Sequence, residues 1–343
     1  MSEDELPEEF VELSAGTLIR ETWAVIRPLG SGAYGHVYHV INVKDDSQAA
    51  LKVESKNAVD HVLKIELEVL QNFKGRPDTM QLIAFGTTDA HSFIVMTLCG
   101  ADLTHLSSSI GAFSDSTVLR LSICTLLSLK SLHEIGYVHR DVKPCNFAIS
   151  TINKKIVYVI DFGMTRRYAS KGDNKQWYIK KRRTKGRVDD LWSWAYMCIE
   201  FREALPWRKM IRPEQVESAK EGISDEKLCG IGIMSVFVPI LTHLRRLTYC
   251  DRPDYKFIFE TIGKEINSRN FRLTDPMDWD GKNNENEGLN EKINEGEFMT
   301  EITFYEKLGI KRERFSFKRR EFNDVSSESG EWVRSLRVFR KYS

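Results

Sequence analysis

His139-Arg140-Asp141-Val142-Lys143-Pro144-Cys145-Asn146, followed downstream by Asp161-Phe162-Gly163, is the stretch on which the reading of the whole chain turns. Two carboxylates, a lysine and an amide in this order are far more specific than any glycine pattern, and an apolar core has no packing reason to assemble them. Toward the N-terminus, Lys52 stands in the strand-like run Ala49-Ala50-Leu51-Lys52-Val53, after the turn Gly30-Ser31-Gly32-Ala33-Tyr34-Gly35. Taken alone, the spacing of Gly30, Gly32 and Gly35 is weak evidence, because dinucleotide-binding folds share it. Those folds open directly into a helix, whereas this turn leads into Val37-Tyr38-His39-Val40, a strand. Such an order suits a flap over nucleotide phosphates: glycines let the backbone approach, and a lysine supplies a point charge.

An ammonium that must hold one position needs a carboxylate anchor. Asn57 to Phe73 has apolar residues at Val62, Ile65, Leu67, Val69 and Leu70 with charges between, which predicts a helix on the small sheet. Glu66 on that helix is the natural partner of Lys52, and Glu68 competes for the role. Residues 24–54 read as strand, turn, strand and third strand, and Phe93 to Leu98 as a buried edge strand. From Ser114 onward the pattern is helical, with Ser114 or Asp115 as cap and Leu119, Leu121, Leu126, Leu127, Leu129 and Leu132 forming a broad apolar surface. Asp190 to Ile199 is apolar nearly all round, as expected of a helix in the middle of a domain, and Trp192, Trp194 and Trp207 read as core packing.

Composition narrows the class without naming a partner. The 343 residues are 41% hydrophobic and 29% charged, the signature of a globular chain of one large domain or two smaller ones. A net charge of +1 gives no global field for nucleic acid or an anionic membrane, so neither is expected as a partner. Gly230 to Leu244 is broken by Pro239 and too short to span a bilayer, and Met1 to Phe10 lacks the features of a signal peptide. A cytoplasmic or nuclear address, not a secreted one, is expected. The six cysteines are scattered and form no C-x-x-C pair, which predicts reduced, mostly buried thiols.

Taken together, these motifs give the chain a resemblance to eukaryotic protein kinases from about residue 24 to about residue 279. Within them it resembles the casein kinase I group, through Asn146-Phe147-Ala148, Arg187-Val188-Asp189-Asp190-Leu191-Trp192-Ser193, Leu205-Pro206-Trp207-Arg208 and Arg252-Pro253-Asp254-Tyr255. His61 to Leu70 and Asp275-Pro276-Met277-Asp278-Trp279 look most like its tau-tubulin kinase branch. The resemblance implies an α+β, two-lobed protein kinase fold: a β-rich N-lobe over about 24–96 and an α-helical C-lobe over about 97–279. An N-terminal extension, 1–23, precedes it and a charged tail, 280–343, follows. Asp280 to Gly296 is expected to be a mobile linker, and the tail beyond it either a docked helical appendage or a loosely ordered segment.

By resemblance, Asp141 would orient the acceptor hydroxyl and take its proton, Lys143 would stand beside the transferring phosphate, and Asn146 and Asp161 would hold Mg²⁺ on the phosphates of ATP. Leu29, Val37, Ala50, Met96 and Ile160 would enclose the adenine, with the Leu98 backbone at the base edge. Asp190 would brace the catalytic loop, and His139 would pack beneath the metal motif rather than act as a base. A lysine two residues after the catalytic aspartate is the serine/threonine pattern. The implied protein is a transferase acting on Ser or Thr of protein substrates, acidic or phosphorylated ones, and working as a monomer.

One segment departs from the pattern. Between Asp161 and Asp190 the chain is shorter than the group's pattern. Either Arg167-Tyr168-Ala169-Ser170 is the substrate-docking segment with almost no activation loop before it, or Arg166 to Arg183 is the activation loop and the docking segment is lost. The basic run Lys180, Lys181, Arg182 and Arg183 within it reads as an anion or substrate site, a solvated loop or a nuclear-import signal. The alternative to an enzyme is therefore a pseudokinase, a nucleotide-binding scaffold without acceptor docking. A small-molecule kinase of related fold is disfavoured by Lys143 and the Asp190 helix.

Overall fold

Alternating side chains and glycine-rich turns make a sheet of the first part of the chain, and long apolar faces make helices of the rest. The computed structural model describes residues 12–280 apart from 33–34, 59–60, 77, 173–175, 181–184 and 231. The expected linker after Asp280, the tail, and Lys181, Arg182 and Arg183 thus lie outside the described residues. Two compact units result. One holds the described residues up to Gln71 with Gln81–Leu98, and the other Asn72–Met80 with the described residues from Cys99 onward.

The first unit is a six-stranded antiparallel sheet with one helix: β1 (Leu18–Ile19), β2 (Trp23–Gly32), β3 (Gly35–Asn42), β4 (Gln48–Ser55), α1 (Val62–Phe73, its last residues counted with the second unit), β5 (Leu82–Thr87) and β6 (His91–Met96). The spatial order is β1-β2-β3-β4-β6-β5. This corrects the expectation of an edge strand at Phe93: β6 lies between β4 and β5, with Phe93, Ile94 and Val95 at most 4% exposed. The true edge is β5, whose residues are half-buried throughout and lack an alternating signal. Trp23, Val25, Tyr38, Val40, Leu51, Val53, Phe93 and Val95 form one core cluster. The helix starts at Val62, later than Asn57, where a Glu54 carboxylate oxygen accepts the Leu63 N–H at 3.1 Å and satisfies one of the unpaired donors of its first turn.

The second unit begins with β7 (Cys99–Asp102), α2 (Leu103–Ile110), α3 (Asp115–Glu134), β8 (Tyr137–Val138), a 3₁₀ turn (Pro144–Asn146), β9 (Phe147–Ser150) and β10 (Val157–Val159). It continues with β11 (Arg166–Arg167), β12 (Ala169–Lys171), β13 (Trp177–Ile179), α4 (Arg187–Glu200), α5 (Pro213–Gly222), α6 (Asp225–Cys229), α7 (Phe237–Arg245) and α8 (Tyr255–Ser268). Ser114, not Asp115, caps α3 by accepting the Thr117 N–H, and the Asp278 carboxylate holds Ser114 through its N–H at 2.6 Å and hydroxyl at 2.7 Å. Residues 117–133 of α3 are all buried, so α3 is the unit's central helix, with α4 and α8 packed on it. Trp194 is fully buried and donates its indole N–H to Thr125 at 3.0 Å, whereas Trp192 is only half-buried under the Arg245 guanidinium. All six cysteines are free. Cys124, Cys198 and Cys229 are buried as expected, but Cys145 and Cys250 are exposed. No described helix is long and apolar enough to cross a membrane.

Candidate active site

In the first unit, strand register gathers the residues expected to hold a nucleotide. Gly30 pairs with Val37 and Gly32 with Gly35 across β2 and β3, Val37 pairs with Lys52 across β3 and β4, and Ala50 pairs with Met96 across β4 and β6. Directly opposed residues share a face and so do residues two apart on a strand, so Val37, Ala50, Lys52 and Met96 line one face. Leu29, 41% exposed, lies at the irregularity between Pro28 and Gly30, and Leu98 follows β6. At Gly35 the backbone needs glycine twice over. Its φ is +117°, and an added Cβ would stand 2.2 Å from the Val53 carbonyl oxygen.

Lys52 on β4 and Glu66 on α1 are buried together, and the ammonium donates to the carboxylate Oε1. Glu68 is more exposed, so the competition between the two carboxylates resolves to Glu66. A buried ammonium requires such a partner, and the pairing aims its charge at one point.

In the second unit, the catalytic-loop residues converge on Asp190 in the first turns of α4. Its carboxylate accepts the backbone N–H of His139 at 2.7 Å and of Arg140 at 2.8 Å, and a third bond joins its Oδ2 to His133 Nε2 at 2.9 Å. Burial alone would raise this carboxyl, but hydrogen bonds from His133 and the loop backbone hold it below its ordinary value. These bonds also hold Arg140 at φ +73°, a left-handed conformation rare for a side-chain-bearing residue.

Asp141 then projects with its Oδ2 between two donors, Lys143 Nζ at 2.8 Å and Asn146 Nδ2 at 3.0 Å. Burial opposes ionisation here too, and the Lys143 and Asn146 bonds win, so the carboxyl lies below its ordinary value and is charged at neutral pH. The same contact raises Lys143. Asn146 also donates to the Asp141 carbonyl at 2.8 Å, which turns its amide nitrogen toward Asp141 and its carbonyl oxygen away. The Ile160 N–H is tied to the Asn146 carbonyl at 2.9 Å, and Asp161, at φ +60°, accepts the Gly163 N–H at 3.2 Å. His139 accepts the Asp141 N–H at Nδ1, so its Nε2 carries the proton shared with the Ile160 carbonyl at 3.0 Å, and its ring meets Phe162 edge-on. His139 thus links the Asp141 N–H to the Ile160 carbonyl.

Hard-oxygen donors suit Mg²⁺, which keeps several waters and takes one or two protein ligands beside phosphate oxygens. The Asn146 carbonyl oxygen and the Asp161 carboxylate are such a pair, and no group of three or more His, Cys, Asp or Glu suited to a metal ion occurs among the described residues. The residues fit the ion.

Beyond Gly163, β11 pairs with β8, and β12 and β13 form a hairpin. The expected basic run is only partly described, and Lys180 lies at its start, after β13. Among the described residues, cations meet around a space elsewhere. A cavity of about 180 Å³ is lined by Arg140, Arg166, Arg167 and Lys185 with Tyr168 and Tyr249. Sequence reasoning missed it because these residues are scattered along the chain. The one local signal was Arg166-Arg167 directly after the metal motif.

A protein kinase domain family matches residues 23–228. A probable serine/threonine-protein kinase of Dictyostelium discoideum is 32% identical over 80% of this chain, and the chain spans 59% of that relative's length. A putative serine/threonine-protein kinase of Caenorhabditis elegans is 29% identical over 80% of this chain and 86% of its own, and casein kinase I homolog 2 of Schizosaccharomyces pombe is 27% identical over 76% and 67%. The order of glycine turn, strand lysine, catalytic loop and Asp-Phe-Gly, the α+β architecture and this family match agree that the chain belongs to the protein kinase family.

Proposed function

We propose that this chain transfers the γ-phosphoryl group of ATP to Ser or Thr hydroxyls of acidic or already phosphorylated proteins. The observation that carries the transfer is the Asp141 carboxylate, ionised and held between Lys143 and Asn146 on a loop braced by the buried Asp190. The relatives named serine/threonine-protein kinases support the acceptor class. Mg²⁺ held by Asn146 and Asp161 would neutralise charge building on the phosphate oxygens. Asp141 orients the acceptor hydroxyl and takes its proton, a role for which a charged carboxylate beside a fixed donor is suited. Lys143, kept cationic by Asp141, stands ready to share its charge with the group in transfer. Lys52, fixed by Glu66, offers its ammonium to the nucleotide phosphates.

Substrate charge follows from the cavity beside Arg140. Four cationic side chains converge there, and the buried Arg140 Nε has no hydrogen-bond partner among the described residues. An anionic side chain or phosphate in that space would gain charge-assisted hydrogen bonds. The anion site proposed on this ground is formed by Arg140, Arg166, Arg167 and Lys185, while Lys181, Arg182 and Arg183 of the expected run lie outside the described residues. It also suits the reading in which residues from Arg166 onward are the activation loop.

The test is transfer of labelled phosphate from Mg²⁺-ATP to an acidic, Ser/Thr-rich protein. Asp141→Asn and Asp161→Asn should each lower the rate by about 10²–10⁴-fold while the fold persists. Folded protein that binds nucleotide but transfers no label above these variants would overturn the enzyme reading in favour of a nucleotide-binding scaffold.

A further inference from the structure

His133, near the end of α3, is 2% exposed and bonded on three sides. Its Nε2 lies 2.9 Å from Asp190 Oδ2, its Nδ1 2.7 Å from the Tyr255 hydroxyl, and its backbone carbonyl accepts the Tyr168 hydroxyl at 2.8 Å. An ionised Asp190 can only accept, so Nε2 carries a proton, and in the neutral ring Nδ1 accepts from Tyr255. Burial pushes the Tyr255 hydroxyl well above its ordinary value, which keeps it a neutral donor. The imidazole is thus held in the orientation that supports the same Asp190 oxygen on which the His139 N–H rests.

Tyr168 brings the activation segment into this network. Its backbone N–H and that of Ala169 both reach the Gly136 carbonyl, at 2.9 and 3.2 Å, and its own carbonyl accepts the Lys180 N–H at 2.8 Å, closing the hairpin of β12 and β13. Gly136 lies at φ +90°, and a Cβ there would stand 2.5 Å from the Ala169 carbonyl oxygen, so the segment is seated directly on the turn between α3 and β8. The Tyr168 ring stacks under the Arg187 guanidinium at 4.7 Å, and Arg187 donates to the carbonyls of Cys250 at 3.3 Å and Asp251 at 3.0 Å. From Gly136 the chain runs through β8 straight into His139.

The geometry points to Tyr168 as a positioning residue: its hydroxyl, by fixing the His133 peptide, couples the seating of the short activation segment to the Asp190-braced catalytic loop. The coupling rests on the kinase reading above. When the segment is seated, the end of α3, the His133–Asp190 bond and the backbone of His139 and Arg140 share one rigid arrangement. When it lifts, His133 loses a bond and the loop loses a support, without any change in the residues that touch ATP or acceptor.

Tyr168→Phe separates this role from packing, because the ring stays under Arg187 and only the hydroxyl is lost. The expected result is a fall in kcat of about 3- to 10-fold, the scale of one hydrogen bond, with KM for ATP unchanged and faster amide exchange at His139–Asp141. Thr242→Val, which removes an exposed hydroxyl bonded within its own helix α7 to the Val238 carbonyl, should leave kcat and exchange as they were. Equal effects of the two variants, or unchanged kcat and exchange in Tyr168→Phe, would overturn the coupling. A parent protein that transfers no phosphate would remove the kinase reading instead. Exchange at His139–Asp141 would then still decide the coupling, since faster exchange in Tyr168→Phe supports it and unchanged exchange refutes it.

Discussion

The catalytic loop and the segment that follows the metal motif lie within one unit yet are held in opposite ways. From His139 to Asn146, backbone and side-chain groups are bonded to buried partners: Asp190 takes two N–H groups, Asn146 ties Asp141, and His139 ties Ile160. From Arg166 to Lys185, cationic heads instead surround an open cavity, and among the described residues Tyr168 and Ala169 seat the hairpin on Gly136. The difference separates two demands of phosphoryl transfer. Reacting groups need fixed geometry, since misplacement by about 1 Å costs on the order of 100-fold. Acceptor recognition needs charge, and charge tolerates looser placement.

The comparison breaks most completely at Asp190. Asp190→Ala removes the shared acceptor and leaves His139 N–H, Arg140 N–H and His133 Nε2 without it in a buried site, while Arg140 retains its left-handed backbone. Loss of one partner from such a network costs about 3–5 kcal/mol. Thermal unfolding should show a large destabilisation, and phosphotransfer should vanish even at temperatures where the protein stays folded. A stable, active Asp190→Ala protein would show that the loop holds itself.

That brace was implied in the sequence by the kinase resemblance, and the cavity was not legible for a physical reason. The resemblance attaches the roles of Asp141, Lys143, Asn146 and Asp161 to short local motifs, and that of Asp190 to a run, Asp190 to Ile199, whose apolar character reads as a buried helix. Glu66 was separable from Glu68 only through the helix face turned to β4. Strand β5 escaped notice because its half-buried residues do not alternate, and β6 passed for an edge because spatial order departs from chain order. Arg140, Arg166 and Lys185 converge only through the β8–β11 pairing and the return of the chain to α4. No window of sequence contains that juxtaposition.

A middle-sized effect is expected at Lys143, which belongs to the fixed region but is half-exposed. Its ammonium is the foremost influence drawing Asp141 below the ordinary value of 3.8, against burial. A carboxyl lowered in this way is more than half ionised at 3.8 and loses its charge only as pH falls through its lower folded value. For the parent protein, kcat/KM should therefore stay flat, as far as Asp141 is concerned, down to about pH 5. Lys143→Ala should lower kcat on the order of 10–100-fold at neutral pH, and it should move the acidic limb upward, since burial then acts on Asp141 with one opponent fewer. A pH–rate profile that keeps its acidic limb in Lys143→Ala would mean that Asn146 and His139 hold the carboxylate low without Lys143.

The smallest effect sharpens the other side of the comparison. Arg166→Ala and Lys185→Ala each remove one of several cations around the cavity and touch none of the bonds that hold Asp141. Each should raise KM for an acidic or phosphorylated peptide by about 3- to 10-fold, the scale of one charge-assisted hydrogen bond, with kcat and KM for ATP unchanged. Raising the salt concentration should weaken peptide binding to the parent more than to either variant, because screening acts on the charges that the variants lack. For a neutral peptide of the same length, parent and variants should behave alike. A drop in kcat with no change in peptide KM would place these cations on the fixed side of the molecule, as supports of the loop through Arg140, rather than on the side that reads charge.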